Sequence, residues 1–62
     1  MKYSLKQVVV DNRGNRGQIV DFKALDGQNF YQVLLDKDWA TGKADFFPEE
    51  NLRLPPRLQK AS

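Results

Sequence analysis

The residues able to do chemistry in this 62-residue chain are carboxylates, amines and phenols, because it contains neither cysteine nor histidine. Glu49 and Glu50 form an adjacent acidic pair of the kind used in general acid–base catalysis, and Asp36, Asp38 and Asp45 are oxygen donors suited to a cation. The glutamates follow a proline at a predicted turn, where exposed carboxylates are common and negative charge favours the start of a helical turn. The aspartates lack the glycine and closing glutamate of a calcium loop. The sequence therefore predicts no catalytic residue, no metal site, no cofactor and no enzymatic activity.

Basic and aromatic side chains are the better candidates, and they indicate binding. The basic residues suited to contact nucleic-acid phosphates or another anionic partner are Arg13, Arg16, Lys23, Lys43 and Arg53. Seven aromatic residues are more than so small a domain can bury, because each strand has only one inward face. The predicted aromatic contact surface consists of Trp39, Phe46 and Phe30, with one of Phe46 and Phe47 left for the core.

The charge is small overall and uneven along the chain. The net charge is +2. Residues 1–23 carry five basic and two acidic side chains, residues 24–50 carry two basic and six acidic ones, and residues 51–62 add three basic ones. Basic ends around an acidic middle are compatible with two opposed patches on a small domain, or with charges that only keep it in solution.

Two features that the sequence lacks, a membrane-spanning segment and a signal peptide, indicate the cellular location of the protein. No apolar run approaches the roughly 20 residues that span a bilayer, and residues 1–4 do not have the character of a signal peptide. We therefore expect a cytoplasmic protein.

Short strands with alternating apolar residues are predicted along most of the chain. They cover residues 6–10, 18–23, 29–35, 43–47 and 52–54, with turn-rich loops at residues 11–17, 25–28 and 36–42. The Asp-Gly loop at residues 25–28 is expected to be longer than two residues. Pro48 cannot donate to a sheet, so it ends the fourth strand and starts a single helical turn.

The alternation also predicts the core and the domain boundary. The expected core consists of Val20, Phe22, Tyr31, Val33, Leu35, Leu52 and one of the two adjacent phenylalanines. Residues 1–54 are predicted to form one domain. Residues 55–62, which begin with two prolines and carry basic charge, are predicted to be a disordered tail or the stub of a linker.

The order of these parts resembles the SH3-like barrels of the Tudor and KOW type. The likeness is carried by Gly17-x-Ile19-Val20, by Tyr31-x-Val33-x-Leu35-Asp36, and by Phe47-Pro48-Glu49-Glu50-x-Leu52. It implies an all-β fold, a five-stranded antiparallel barrel with one 3-10 turn before the last strand. It also implies a small binding or adaptor module associated with nucleic acid or a nucleic-acid-handling complex.

Two other barrel families are similar over parts of the chain. Tyr31-Gln32-Val33-Leu34-Leu35-Asp36-Lys37 and Phe47-x-x-x-x-Leu52 look like the photosystem I stromal subunit that docks ferredoxin, which implies an acidic protein partner. Residues 17–20 and 44–48 are similar to the plasmid-borne trimethoprim-resistant dihydrofolate reductase, a tetramer, which implies a homo-oligomer. Asp45, Phe46 and Phe47 stand where that reductase has glutamine, isoleucine and tyrosine, and a carboxylate at the first position repels an anionic cofactor. That resemblance therefore supports the fold more than the activity.

Overall fold

The computed structural model describes residues 2–56 and shows an all-β chain. Its four strands are β1 (Val8–Val10), β2 (Arg16–Leu25), β3 (Gln28–Leu35) and β4 (Asp45–Pro48). They form one antiparallel sheet in the order β1-β2-β3-β4. Residues 2–56 contain two 3-10 helices, Asp36–Asp38 and Glu49–Asn51, and no α-helix. None of their helices is long and apolar enough to cross a membrane.

β2 and β3 are joined by a tight two-residue turn, so the prediction of a longer loop was wrong. Asp26 and Gly27 have φ angles of 52° and 75°, and both lie in the left-handed region. This is the pattern of a type I′ turn, which matches the twist of the two flanking strands and favours Asp-Gly. The hairpin therefore continues in register to the pair Leu25–Gln28 at its tip.

A β-bulge in β2 explains why two expected core residues are exposed. Ile19 pairs with Val33 but Asp21 pairs with Gln32, so Val20 is an extra residue without a partner. Val20 is 44% exposed. Phe22 is 41% exposed because the hairpin beyond the bulge extends past β1, which pairs only with residues 16–18 of β2. The prediction that Val20 and Phe22 lie in the core was therefore wrong.

The core lies on one face of the sheet and includes three residues that the alternation did not identify. Its buried members are Tyr3, Val9, Ile19, Tyr31, Val33, Leu35 and Leu52, with Phe47 packed against them. The expected burial of Tyr31, Val33, Leu35 and Leu52 is confirmed. Phe47 is the phenylalanine that faces the core, and Phe46 is the one left exposed.

The predicted 3-10 turn after Pro48 is confirmed, but the strand expected after it is reduced to a single bridge. Arg53 pairs with Val10 through two backbone hydrogen bonds, of 2.8 Å and 3.0 Å. Leu54 is exposed, and Pro55 and Pro56 have no N–H to extend a ladder. Residues 2–56 therefore contain four strands rather than five. Of the tail predicted over residues 55–62, residues 57–62 lie outside the described part of the chain.

A network around the hydroxyl of Tyr31 ties the beginning of the described chain to the core. This hydroxyl accepts hydrogen bonds from the backbone N–H groups of Lys2 (3.0 Å) and Tyr3 (3.2 Å), and donates one to Glu49 Oε2 (2.6 Å). The rings of Tyr3 and Tyr31 meet edge to face with centroids 5.3 Å apart. The hydroxyl of Tyr3 in turn donates to the carbonyl of Leu52 at 3.1 Å. These bonds satisfy the polar ends of two buried aromatic residues.

The carboxylate of Glu49 is expected to make the stability of the protein sensitive to acid. The hydrogen bond from Tyr31, together with the backbone N–H and charge of Lys2, lowers the pKa of Glu49 below its ordinary value of 4.5. In acid the folded state then binds fewer protons than the unfolded chain. This stabilisation is present above the ordinary pKa and is lost as the pH falls through the lower pKa of the folded state.

The check is a series of urea unfolding curves between about pH 6 and about pH 2. In the Glu49→Gln variant, the urea concentration at the unfolding midpoint should fall less steeply as the pH is lowered. The matched control is Glu50→Gln, which changes the neighbouring exposed carboxylate. Its urea midpoint should depend on pH as steeply as that of the unmodified protein. Equal acid sensitivity of the two variants would contradict this role for Glu49.

Candidate binding surfaces

Lys23, Phe30 and Phe46 come together on the face of the sheet opposite the core. Lys23 pairs with Phe30 across β2 and β3, and Phe46 pairs with Gln32 across β3 and β4. Residues paired in this way point to the same face. The Nζ atom of Lys23 lies 4.3 Å from the centroid of the Phe46 ring, within the range of a cation–π contact. We call Lys23, Phe30, Gln32 and Phe46 the sheet patch.

The sheet patch unites members of two sets that the sequence predicted separately, one basic and one aromatic. Phe46 is 41% exposed, Lys23 is exposed and Phe30 is half-buried. Such a surface offers flat apolar rings beside the exposed amine of Lys23, while Asp21, which pairs with Gln32, places a carboxylate on the same face. The rings and the amine together suit a planar ligand that carries negative charge next to its ring.

A polar cleft of about 500 Å³ lies at one end of the sheet. It opens between the loop after β1, the segment that follows β3 and the start of β4. We call it the loop cleft, and it is lined by Asp11, Asn12, Arg13, Asn15, Leu35, Lys37, Asp38, Lys43, Asp45, Phe47 and Asn51. Leu35 and Phe47 supply its apolar surface, and the remaining side chains are charged or amide groups. Arg13 and Lys43 were predicted to bind anions, whereas Lys37 was not.

Asp11 fixes the loop that carries Arg13. Its carboxylate accepts hydrogen bonds from the backbone N–H groups of Arg13 (2.9 Å) and Asn15 (2.8 Å) and from Nδ2 of Asn15 (3.3 Å). Asp11 is only 3% exposed. Burial by itself disfavours the charged form, but these hydrogen bonds and the charge of Lys37 outweigh it and lower the pKa of Asp11. The loop is therefore held by a buried, charged acceptor.

The two remaining arginines of the predicted set lie beside β1. Val10 pairs with Arg16 on one side and with Arg53 on the other, so both arginines flank a buried valine. The guanidinium of Arg53 donates a hydrogen bond of 3.0 Å to the carbonyl of Asp11. Arg53 thus connects the last described segment to the loop that carries Arg13. Neither arginine lines the loop cleft or belongs to the sheet patch.

Trp39 lies outside the four strands, at the end of a 3-10 helix. It follows the 3-10 helix Asp36–Asp38 and donates its backbone N–H to the carbonyl of Asp36 at 3.2 Å. Its side chain is 64% exposed, the largest exposed fraction among the large hydrophobic residues of the described chain. Trp39 does not line the loop cleft. Phe30 and Phe46, in contrast, belong to strands β3 and β4.

Sequence reasoning missed Lys37 and the organising role of Asp11. An aspartate followed by Asn-Arg-Gly is typical of a turn in which the carboxylate binds nearby backbone N–H groups, so this signal was present in the sequence. The place of Lys37 beside Asp11 depends on contacts between distant segments. Residues 2–56 contain no group of three or more potential metal ligands.

Comparison with known proteins does not identify a relative: no family model, curated protein or solved structure matches the chain.

Proposed function

We propose that this chain is a small non-catalytic binding module with an SH3-like barrel architecture, of the Tudor or KOW type. Two features support the architecture. The bridge between Val10 and Arg53 brings the end of the described chain back beside the first strand. The bulge at Val20 bends β2, as strands do where a sheet curls on itself.

The ligand we propose is an unpaired segment of nucleic acid, bound on the sheet patch. The observation that carries this proposal is the position of Lys23 over Phe46, with Phe30 on the neighbouring strand. A base stacks on an exposed aromatic ring whatever its sequence, at about 1–3 kcal/mol per base. The long side chain of Lys23 swings off the ring when a base arrives and contacts the adjoining phosphate. Stacking and charge neutralisation then occur side by side.

The balance of charge predicts modest affinity. Residues 2–56 carry eight basic and eight acidic side chains, so the described domain lacks the broad positive field that steers double-stranded DNA. Stacking must then supply most of the binding energy, and only a few phosphates are neutralised. We therefore expect a preference for single strands over duplexes, with a shallow dependence on salt.

The proposal predicts that Phe46→Ala weakens binding of a short single-stranded oligonucleotide about fivefold or more, because a stacking contact of about 1–3 kcal/mol is lost. Fluorescence anisotropy of a labelled thymidine hexanucleotide measures this affinity at about 50 mM salt.

Phe22→Ala is the matched control. Phe22 is 41% exposed, as Phe46 is, but it pairs with Tyr31 on the core side of the sheet. Its replacement should leave the affinity unchanged. Equal effects of the two variants, or the absence of saturable binding by the unmodified protein, would refute the proposed site.

A protein partner is the second candidate, and the exposure of Trp39 favours it. A tryptophan that is 64% exposed is a typical anchor of a protein interface. An adaptor working through Trp39 predicts that Trp39→Ala prevents capture of that partner and leaves the melting temperature nearly unchanged. The nucleic-acid proposal predicts instead that Trp39→Ala keeps the affinity for the oligonucleotide.

A further inference from the structure

The sheet patch and the loop cleft meet at β4. Phe46 belongs to the patch, whereas its neighbours Asp45 and Phe47 point to the other face and line the cleft. Gln32 of the patch reaches the carbonyl of Ala44 with its side-chain amide at 3.5 Å, just before the strand begins. Among the described residues β4 pairs only with β3, so its outer edge is free. A ligand can therefore pass from one surface to the other over this edge.

The loop cleft offers three positive groups to such a ligand. Arg13, Lys37 and Lys43 line it, and none of their charged groups donates a hydrogen bond within residues 2–56. Asp38 and Asp45 also line it and oppose the binding of an anion. The carboxylate of Asp11, in contrast, is buried and already accepts three hydrogen bonds. The groups that remain available to a ligand are mainly donors.

We infer that the loop cleft is the phosphate-binding end of the site proposed above, so that one strand stacks a base on Phe46 and then crosses the edge of β4 to Lys43 and Lys37. This inference rests on the proposed function and adds the path and minimum length of the ligand. The cleft contributes charge contacts to the sugar-phosphate backbone, and the patch contributes stacking. Only a ligand long enough to reach both surfaces gains from both.

The geometry sets that length. Phe46 and Lys43 are three residues apart, so their Cα atoms are separated by at most about 10 Å. A stacked strand rises about 3.4 Å per nucleotide, so about three further nucleotides are needed beyond the stacked base. A dinucleotide occupies the patch alone, whereas a hexanucleotide reaches the cleft.

The test compares a thymidine dinucleotide with a thymidine hexanucleotide, by titration at about 50 mM and about 200 mM salt. We expect the hexanucleotide to bind about tenfold more tightly at the lower salt. The double variant Lys37→Ala with Lys43→Ala should remove this advantage, leave dinucleotide binding unchanged, and lower the salt slope of hexanucleotide binding by about 0.7 per lost contact. Asp45→Asn, which removes an opposing charge at the edge of β4, should tighten hexanucleotide binding about threefold.

Lys6→Ala is the control for loss of a positive charge, because Lys6 is exposed and belongs to neither surface. If the hexanucleotide binds no better than the dinucleotide, or if the double variant behaves like Lys6→Ala, the path through the cleft is overturned. In that event continued sensitivity of dinucleotide binding to Phe46→Ala would preserve the patch as the site. Failure of both oligonucleotides to bind would overturn the inference together with the proposed function.

Discussion

Replacing Gly17 with alanine is expected to remove a large part of the stability of the fold. Gly17 lies in β2 opposite Leu35, where the backbones come unusually close. A Cβ atom at this position would be 2.7 Å from the carbonyl oxygen of Leu34, 2.8 Å from Cγ1 of Val33 and 2.9 Å from Cα of Leu35. Two of these three atoms are backbone, so the strands themselves would have to move apart.

The destabilisation expected from Gly17→Ala is a large fraction of the free energy of unfolding of so small a domain. Overpacking a well-packed site costs about 1–3 kcal/mol and occasionally more, while a core of this size rarely supplies more than about 3–5 kcal/mol. Circular dichroism and urea unfolding should therefore show a lost or strongly shifted transition for Gly17→Ala.

Gly14→Ala separates this steric effect from backbone strain. Gly14 has a φ angle of 85° and open space around it, so alanine there costs about 1–2 kcal/mol through the left-handed conformation alone. Gly17→Ala should be clearly the more destabilising of the two. A Gly17→Ala protein that melts at the temperature of the unmodified chain would contradict the close approach of β2 and β3.

Replacing Asp11 with alanine is expected to destabilise the fold by about 2–3 kcal/mol and to loosen the loop after β1. The change removes three hydrogen bonds to a charged acceptor. It leaves the part-buried N–H groups of Arg13 and Asn15 without their partner, and the loss of a hydrogen bond to a charged group costs about 1.5–3 kcal/mol. Urea unfolding measures the loss of stability, and hydrogen exchange at the amide of Asn15 reports the loosening.

Asp21→Ala is the control for this prediction. Asp21 is also an aspartate whose carboxylate accepts a backbone hydrogen bond, from Phe22 at 2.8 Å, but it is exposed. Its replacement should change the stability by no more than about 0.5 kcal/mol. If Asp11→Ala were equally mild, the carboxylate would not be what holds the loop.

The elements that the sequence predicted well are those specified by local pattern. Tyr31, Val33 and Leu35 alternate without interruption in β3, and all three are buried. Pro48 ends β4 and is followed by a 3-10 helix, because a residue without an N–H cannot continue the ladder. In both cases a few neighbouring residues decide the outcome.

The elements that the sequence did not predict depend on contacts between distant segments. The bulge at Val20 shifts the pairing by one residue, and a period-two pattern cannot locate such a shift in advance. Tyr3 precedes all the strands, and it is buried because its ring meets Tyr31 and its hydroxyl reaches Leu52.

The sheet patch is a long-range feature of the same kind. Lys23 reaches Phe46 only because β3 lies between their strands in one particular register. The sequence indicated which residue types were suited to binding, but not which of them would be neighbours. Arg53 illustrates the difference, since a predicted phosphate contact proves to be hydrogen-bonded to the carbonyl of Asp11.

An NMR titration of the unmodified protein with the thymidine hexanucleotide, following every backbone amide at about 50 mM salt, would locate the bound strand. We expect saturable shifts that are largest at Lys23, Phe30 and Phe46. Shifts confined to the neighbourhood of Trp39, or no saturable shift in a well-folded protein, would contradict the assignment of the sheet patch as a site for unpaired nucleic acid.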